Sequence, residues 1–457
     1  MLKIALKRKS PHLRLRTMKT PLPDYLANVI EACEVDNSGH LADYIPELAN
    51  ANPDRLALAM STVDGEIYSI GDDDTEFTIQ SISKPFVYAY VLQQLGIDAV
   101  LAKVGVEPSG EAFNEISLGK DGRPKNPMIN SGAITVHSLI QVKHGLHSAE
   151  ILRRFMSELA GRELSFDESV YDSEVKTAYR NLSIGYMLRT VGILETDPVD
   201  IVNGYIRQCA IMVTVKDLVR MGSVLANGGV DPKTGKRLLN RSVVRQVLSV
   251  MMSCGMYDAA GDWLSTVGIP AKSGVAGGIL GVLPGQVSIA AFSPRLDEHG
   301  HSIRGIDILE RLSRDMGLHL MEGTPSAQTI VQSHYRTGKD ASLSVYVLRG
   351  VLKFTEAEML LRILQDETTD QSTIVIDLTQ ISLIHDVGKR MFLEGVDRLI
   401  DDGHTLVLVD PEQRLDHART GKDRELHVYH DFDDLLEKHD LPAKKKTYND
   451  IAALLNC

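Results

Sequence analysis

The spacing of apolar positions predicts strands at both ends of the first 320 residues and helices between them. Residues 55–63 and 66–70 are β-rich runs separated by an Asp-Gly pair, which is typical of a tight hairpin. Helical spacing follows over most of 95–195 and returns over 214–225. The glycine-rich, β-branched stretch after Trp263 predicts two or three adjacent strands. We therefore expect an α+β domain with one antiparallel sheet built from both ends of this region, beside a block of helices.

From residue 341 onwards, short strand-like runs alternate with helical runs. The predicted elements are strands at 343–352, 373–378 and 405–409 and helices at 355–365, 387–402 and 433–439. This alternation is typical of a small α/β domain of about 100 residues.

These patterns divide the chain into five segments. They are a basic, disordered tail at 1–20, a first domain at 21–322, a polar linker at 323–340, a second domain at 341–440 and a C-terminal tail or short helix at 441–457. The tail is rich in lysine and arginine and lacks the apolar core of a secretory signal. A native chain that starts at Met18 is the alternative explanation for this basic stretch.

Composition narrows the class of protein. The 457 residues are 43% hydrophobic and 24% charged, which is ordinary for a soluble globular protein. A net charge of −12 argues against nucleic acid as the main partner, and no apolar run predicts insertion into a membrane. The four cysteines have neither paired nor metal-like spacing, so we expect free thiols in a reducing, cytoplasmic setting. No metal and no cofactor are expected.

The stretch 77–95 holds the first candidate for chemistry. Pro85 belongs near a helix start, which puts Ser81 and Lys84 on the first turn, three residues apart. A serine there meets unpaired backbone N–H groups, and a desolvated, neutral lysine could take its proton. Ser-x-x-Lys is expected about once or twice by chance in a chain of this length, and a second copy starts at Ser173. A helix cap with a solvated lysine is therefore the alternative.

A second candidate is the triplet Lys272-Ser273-Gly274, which lies in strand-like sequence. On a strand edge such a triplet can place an ammonium and a hydroxyl beside a nucleophilic serine. A similar triplet at 233–235 lies in a turn-forming stretch and is predicted to be a surface loop. Each triplet alone is weak evidence, and the order of the two motifs along the chain is the stronger signal.

Five polar residues between these motifs are further candidates, each with a structural alternative. Asn130 precedes a predicted helix, where it could be a cap. Glu174 and Asn181 are seven apart, which predicts one face of a single helix or a solvated face. Tyr205 lies near an apolar stripe and could be core, and Tyr257 lies in a glycine-flanked loop.

Taken in order, these stretches resemble the serine-dependent glutaminases, which share the fold of serine β-lactamases and penicillin-binding proteins. The resemblance covers residues 20–320 and is carried by YIPELA, FTIQSISKPF, NPMINSGAI, the SE and RN of SEVKTAYRN, Y-x-x-QC, CGMYDAAG and KSGVAGG. It implies hydrolysis of L-glutamine to L-glutamate and ammonia. A β-lactamase or transpeptidase relative and a non-catalytic partner protein remain as alternatives.

The resemblance also implies roles for individual residues. Ser81 is expected to be the nucleophile, Lys84 its general base, and Tyr257 a relay of the proton to departing ammonia. The backbone N–H groups of Ser81 and Val275 are expected to form the oxyanion hole, so Ser81, Tyr257 and Val275 also contact substrate. The base for the later attack of water is either Lys84 or Tyr257.

The remaining implied roles concern binding of the amino acid. Glu174 is expected to hold the α-ammonium, while Asn130, Asn181 and Tyr205 bind and orient the α-carboxylate. Tyr44, in YIPELA, is a further substrate contact. An anion for the ammonium and neutral donors for the carboxylate suit a zwitterionic ligand.

The second domain resembles the sulphate-transporter and anti-sigma-factor-antagonist (STAS) fold. The resemblance is carried by VLRGVLKFTEAE, IVIDLTQISLIHDVG and LIDDGHTLVLVDP. Regulatory members carry a phosphorylated serine after an aspartate at a helix start, but here Asp386 is followed by Val387. A docking or oligomerisation role is therefore expected, with a protein or nucleotide as the partner. We expect a homo-oligomer, either a dimer or a tetramer.

Overall fold

The computed structural model describes residues 22–109, 118–142, 147–321, 330–337, 343–352, 354–365, 373–415, 419–420, 422, 424, 426–432 and 434–435. The predictions for the tails at 1–20 and 441–457 lie outside the described residues. The chain divides into two compact units, with the boundary between residues 322 and 323.

The first unit contains thirteen α-helices and seven strands among its described residues. In chain order these are α1 (Leu22–Glu34), α2 (Pro46–Ala49), β1 (Ala57–Thr62), β2 (Ile67–Gly71), β3 (Phe77–Thr78), α3 (Ser83–Leu95), α4 (Ile97–Leu101), α5 (Asn130–Ser138), α6 (Ser148–Ala160), α7 (Glu168–Lys176), α8 (Tyr179–Thr190), α9 (Pro198–Cys209), β4 (Met212–Val213), α10 (Val215–Ala226), α11 (Arg241–Cys254), α12 (Ala260–Thr266), β5 (Ala271–Gly274), β6 (Gly278–Leu283), β7 (Val287–Phe292) and α13 (Ile303–Met316).

The five-stranded sheet of this unit has the order β2-β1-β7-β6-β5, and all its neighbours are antiparallel. This confirms the expected sheet built from both ends of the region. Side chains alternate along β1, so that Ala57 and Ala59 join one core while Leu58 and Met60 join the other. Helix α10 packs on one side, and α1 and α13 contribute to the opposite core. The sheet is therefore buried on both faces.

Helix α3 is buried along most of its length. It packs against α4, α5, α6 and α11, and every residue from Ser83 to Ala89 is buried. Enclosure on all sides explains why a lysine, Lys84, lies inside the protein here. A 3₁₀ turn at Gln80–Ile82 precedes α3, so Ser81 lies on that turn and not on the first turn of the α-helix.

The second unit contains a five-stranded sheet with the order β12-β11-β10-β9-β8. Its elements are β8 (Val331–Thr337), β9 (Leu343–Leu352), α14 (Phe354–Gln365), β10 (Thr373–Ile384), α15 (Asp386–Asp401), β11 (Thr405–Val409) and β12 (His427–Tyr429). Strands β9 to β12 are parallel, and β8 pairs antiparallel with β9. Among the described helices, none is long and apolar enough to cross a membrane.

Three predictions for this unit need correction. The predicted linker at 323–340 contains strand β8, whose polar side chains are mostly exposed because the strand lies at the sheet edge. Strand β10 continues to Ile384, six residues past its predicted end, through two register shifts. Strand β12 was not predicted, since three residues carry too little periodicity. Most of the helix predicted at 433–439 lies outside the described residues.

Candidate active site

The turn before α3 carries the candidate nucleophile. Ser81 is 9% exposed. Lys84 lies three residues later, on α3, and is 1% exposed. The preceding residue, Gln80, has a φ of +50°, a backbone conformation that residues other than glycine rarely adopt. Such strain persists only where the surroundings enforce it, and it is common at functional turns.

Lys84 is an unusual lysine because it is enclosed without a carboxylate as its hydrogen-bond partner. Its Nζ donates to Oδ1 of Asn130 over 2.7 Å. Burial lowers the pKa of Lys84 from 10.5 to about 7. A large fraction of the side chain is therefore neutral near pH 7, which is the form that can accept a proton from a serine.

Strand β5 brings the second motif to the same place. A Cβ built on Gly274 would lie 3.1 Å from the carbonyl oxygen of Ile79, so the end of β5 lies directly beside the nucleophile turn. Val275 follows this glycine, which puts its backbone next to the turn. Lys272 is fully buried, and its Nζ donates to the carbonyl oxygen of Ser273 over 2.8 Å.

Tyr257 lies between the two lysines and the serine. Nζ of Lys272 is 3.8 Å from the centre of the tyrosine ring, and Nζ of Lys84 is 5.7 Å from it. Burial raises the pKa of Tyr257, and a hydrogen bond with the Ser81 side chain opposes this increase. Burial, followed by the nearby charge of Lys84, lowers the pKa of Lys272 well below its ordinary value. Because its pKa is raised, Tyr257 stays protonated at neutral pH.

Asn130 links the lysine to the predicted carboxylate contacts. It is the first residue of α5, one position after the N-cap Ile129, and its side-chain oxygen accepts from the side chains of Lys84 and Tyr205, so the alternative of a simple helix cap is wrong. Its Oδ1 accepts from the Tyr205 hydroxyl at 3.2 Å, and its Nδ2 donates to Oδ1 of Asn181 at 3.1 Å. Because the Asn181 oxygen is the acceptor, the amide nitrogen of Asn181 is oriented as a donor.

Glu174 forms the other side of the site. Its Oε1 accepts from Nε2 of Gln80 at 2.9 Å and from the Tyr44 hydroxyl at 3.1 Å. Burial raises the pKa of Glu174, and these two hydrogen bonds oppose the increase. The expected single helix face for Glu174 and Asn181 is wrong, because α7 ends at Lys176 and α8 begins at Tyr179.

Two further buried polar residues at the site, Gln80 and His301, carry no signal in the sequence. Gln80 bridges the nucleophile turn to Glu174, and only its position directly before Ser81 could have indicated this role. His301 stacks on the Tyr257 ring, with centroids 5.6 Å apart and planes inclined by 12°. Nδ1 of His301 lies 2.7 Å from Oγ of Ser273, so this histidine connects the segment that contains Tyr257 to strand β5. Nothing in its spacing along the chain indicates that contact.

The two look-alike motifs lie elsewhere. Ser173 of the second Ser-x-x-Lys donates to Oε1 of Glu47, and Lys176 is exposed at the end of α7. The triplet at 233–235 forms an exposed turn, as expected. Within the described ranges, no group of three or more His, Cys, Asp or Glu side chains is arranged to hold a metal ion.

Comparison with known proteins places this geometry in a family. A family model described as Glutaminase matches residues 39–321. A glutaminase of Corynebacterium glutamicum is 49% identical over 397 residues, which are 86% of this chain and 95% of the relative. Glutaminase 2 of Bradyrhizobium diazoefficiens is 40% identical over 442 residues, 92% of this chain and 71% of the relative.

Solved structures agree with the sequence relatives. The crystal structure of Mglu superposes with a TM-score of 0.80 at 49% identity, and the match covers 87% of this chain and 100% of Mglu. A second crystal structure shows Mglu in its glutamate form, with a TM-score of 0.80 at 45% identity over 86% of this chain and 99% of that one. From the family model and these relatives together, we conclude that the chain belongs to the glutaminase family.

Proposed function

We propose that this glutaminase converts L-glutamine to L-glutamate and ammonia through a γ-glutamyl ester on Ser81. The observation that carries the proposal is Lys84, an enclosed lysine with a pKa of about 7, three residues after Ser81. Neutral Lys84 takes the Ser81 proton as Oγ attacks the side-chain amide carbon. The resulting oxyanion is held by the backbone N–H groups of Ser81 and Val275, and each such donor lowers the barrier by about 3–4 kcal/mol.

Collapse of the tetrahedral intermediate breaks the C–N bond, and the leaving NH₂ group takes a proton to become ammonia. Tyr257 relays that proton from Lys84, because its hydroxyl contacts Ser81 and its raised pKa keeps it protonated. Water then attacks the ester carbon, and its proton returns to Ser81. Lys84 is the base for this second step, since its neutral form is more abundant near pH 7 than the Tyr257 phenolate.

Recognition of the amino-acid end rests on the other side of the site. Glu174 pairs with the α-ammonium, while Tyr44 shares its carboxylate. Asn181 and Asn130 supply neutral N–H donors to the α-carboxylate, and Tyr205, whose hydroxyl donates to Asn130, orients that amide. Their hydrogen bonds to one another support this role, because the network orients the amide nitrogen of Asn181 before substrate arrives.

The second Ser-x-x-Lys motif provides a control for testing Ser81 as the nucleophile. Purified Ser81→Ala should release ammonia from L-glutamine at least about 10³-fold more slowly than the unchanged protein. Ser173→Ala, which alters the second Ser-x-x-Lys, should stay within about twofold. Acid quenching during turnover followed by mass spectrometry should find a glutamyl group on the peptide that contains Ser81. Full activity in Ser81→Ala would exclude this serine as the nucleophile.

For the first unit we also propose a β-lactamase-like fold, supported by the helical block beside an antiparallel sheet and by the Ser81 and Lys272 motifs. For the second unit we propose a STAS-like fold with a docking or oligomerisation role. Its parallel strands and the helix that begins at Asp386 support this assignment. Val387 follows that aspartate, so regulation by phosphorylation of a serine at this position does not apply.

We further propose a homo-oligomer that works in the cytoplasm. Among the described residues, three buried free thiols support a reducing compartment, namely Cys33, Cys209 and Cys254. Sedimentation of the full chain and of residues 22–321 tests the role of the second unit. A smaller assembly for the shortened chain, with unchanged kcat per subunit, is the expected result. An unchanged assembly would remove the oligomerisation role.

A further inference from the structure

A chain of buried polar side chains runs from α6 to the nucleophile turn. Oγ of Ser148 lies 2.8 Å from Nε2 of His137, and Nδ1 of His137 lies 2.7 Å from Oε1 of Gln208. Nε2 of Gln208 donates to Oγ of Ser83 at 3.2 Å, and Ser83 donates to the carbonyl oxygen of Gln80 at 2.7 Å. His137, Gln208 and Ser83 are at most 1% exposed. None of these residues has a role in the proposed reaction, but Gln80 directly precedes the proposed nucleophile, Ser81.

The donors in this chain all point the same way. The Gln80 carbonyl can only accept, so the Ser83 hydroxyl donates to it and accepts from Gln208. The amide oxygen of Gln208 then faces His137 and requires a proton on Nδ1. Nε2 of His137 is left as the acceptor for the Ser148 hydroxyl. This order needs a neutral imidazole, and burial lowers the pKa of His137 to about 4.

The last acceptor in this series of hydrogen bonds, the Gln80 carbonyl, lies next to the Ser81 N–H. The Gln80 carbonyl and the Ser81 N–H belong to one planar peptide unit and point in opposite directions. The backbone N–H of Ser83 also donates to this carbonyl, so the hydroxyl is a second restraint on it, and together they fix the direction of the Ser81 N–H. Gln80 needs such a restraint because its φ is +50°, a conformation that costs on the order of 1–3 kcal/mol.

At the other end of this series of hydrogen bonds, His137 and Ser148 pack closely against Gly204. A Cβ built on Gly204 would lie 2.4 Å from Nε2 of His137 and 3.0 Å from Oγ of Ser148. Only a residue without a side chain leaves room for this hydrogen bond. The restraint thus runs through four helices, α6, α5, α9 and α3, to the peptide before the nucleophile.

We propose that His137, Gln208 and Ser83 are positioning residues that aim the Ser81 N–H at the developing oxyanion. This inference rests on the proposed function, because it gives the Ser81 N–H a role only if Ser81 forms the acyl-enzyme. Ser148 sets the tautomer of His137 and is the weakest member of the chain, since it is only partly buried.

The oxyanion exists only during the reaction, so loss of this restraint should lower kcat and leave KM nearly unchanged. Gln208→Met, of similar volume but without donors, should lower kcat about 10- to 50-fold, somewhat less than loss of a whole oxyanion donor. Affinity for L-glutamate, measured by calorimetry, should stay within about twofold. A KM increase in parallel with the fall in kcat would overturn the positioning role.

Two matched comparisons separate positioning from general destabilisation. His137→Asn keeps a donor toward Gln208 and should retain several times the kcat of His137→Leu. Ser148→Ala removes only the outer hydroxyl and should lower kcat about two- to fivefold. In a Gln208→Met background the same Ser148→Ala change should have no further effect, because the chain is already broken. Independent, multiplying effects would overturn the proposal.

Ser81→Ala belongs in the same series. If it retains activity, the proposed function fails and the positioning role with it. If it is inactive while Gln208→Met has a kcat within twofold of the unchanged protein, only the positioning role fails.

Discussion

Burial favours the neutral form of the ionisable groups on both walls of the site, but hydrogen bonds oppose this effect for Glu174 on one wall more than for Lys84 on the other. The lysine wall comprises Ser81, Lys84, Tyr257 and Lys272, and burial there lowers the pKa of both lysines. The carboxylate wall comprises Gln80, Glu174 and Tyr44, and burial there raises the pKa of Glu174. The difference lies in compensation. Glu174 accepts two hydrogen bonds that favour its charge, whereas Lys84 donates to a neutral amide.

This contrast separates chemistry from recognition. A lysine that readily gives up its charge can act as a base near pH 7. A carboxylate whose hydrogen bonds favour its charge can attract an ammonium. We therefore expect changes on the lysine wall to appear in kcat and changes on the carboxylate wall to appear in KM.

The largest effect is expected from Lys84→Met, which keeps the volume of the side chain and removes the base. It should lower kcat by about 10³-fold, within the range of general-base contributions. Steady-state ammonia release measures this loss. Lys176→Met, which alters the exposed lysine of the second Ser-x-x-Lys, should match the unchanged protein. A Lys84→Met variant with kcat within tenfold of normal would assign the base to another group.

The same Lys84→Met change should make the protein more stable. The folded-state pKa of about 7 lies below the unfolded value of about 10.4, so the unfolded chain binds more protons between these values. At pH 7.5 keeping Lys84 neutral in the folded protein therefore costs about 4 kcal/mol of stability. Lys84→Met removes this cost and loses only the hydrogen bond to Asn130, which contributes about 1 kcal/mol. The cost falls as pH rises and disappears near pH 10.4.

Urea unfolding followed by the fluorescence of Trp263 measures this gain. That residue is the single tryptophan and lies buried in the same unit. Lys84→Met should raise the free energy of unfolding by about 3 kcal/mol at pH 7.5, and the gain should vanish by about pH 10. A gain that is independent of pH would contradict a lowered pKa for Lys84.

On the carboxylate wall, Glu174→Gln should raise KM for L-glutamine by about 30- to 100-fold, because a charge-assisted contact to the ammonium is lost. The kcat should fall less than about fivefold. Initial rates over a wide range of glutamine concentration give both constants. Glu168→Gln, on the same helix and exposed, is the control. A fall confined to kcat would place Glu174 on the reaction side.

The two walls also differed in how far they could be predicted. Ser81 and Lys84 carry a local spacing, and the structure places Ser81 on the 3₁₀ turn and Lys84 at the start of α3, which follows directly. The arrangement of Glu174 and Asn181 was wrong, since spacing cannot show that a helix ends between them. Gln80 and His301 had no signal, because their hydrogen-bond partners, Glu174 and Ser273, lie 94 and 28 residues away along the chain. In the second unit, strand β8 was missed because an edge strand tolerates polar residues.

The pH dependence of the unchanged enzyme should follow the lysine wall. The base must be neutral, so kcat/KM should increase about tenfold per pH unit below about pH 7 and level off above it. Rates at low glutamine concentration between pH 5.5 and 9 test this. A flat profile below pH 7 would mean that protonation of Lys84 does not limit the reaction.

The smallest effect is expected for Tyr44→Phe at the outer edge of the carboxylate wall. Tyr44 as a whole is 48% exposed, but burial of its hydroxyl, followed by the nearby charge of Glu174, raises the pKa of Tyr44 well above its ordinary value. The second donor, Gln80, is 4% exposed and remains in place. KM should therefore increase about two- to threefold with kcat unchanged, and Tyr186→Phe on α8, also exposed, should change neither constant. A tenfold fall in kcat for Tyr44→Phe would instead show that this hydroxyl acts in the reaction, and the division between the two walls would not hold at that edge.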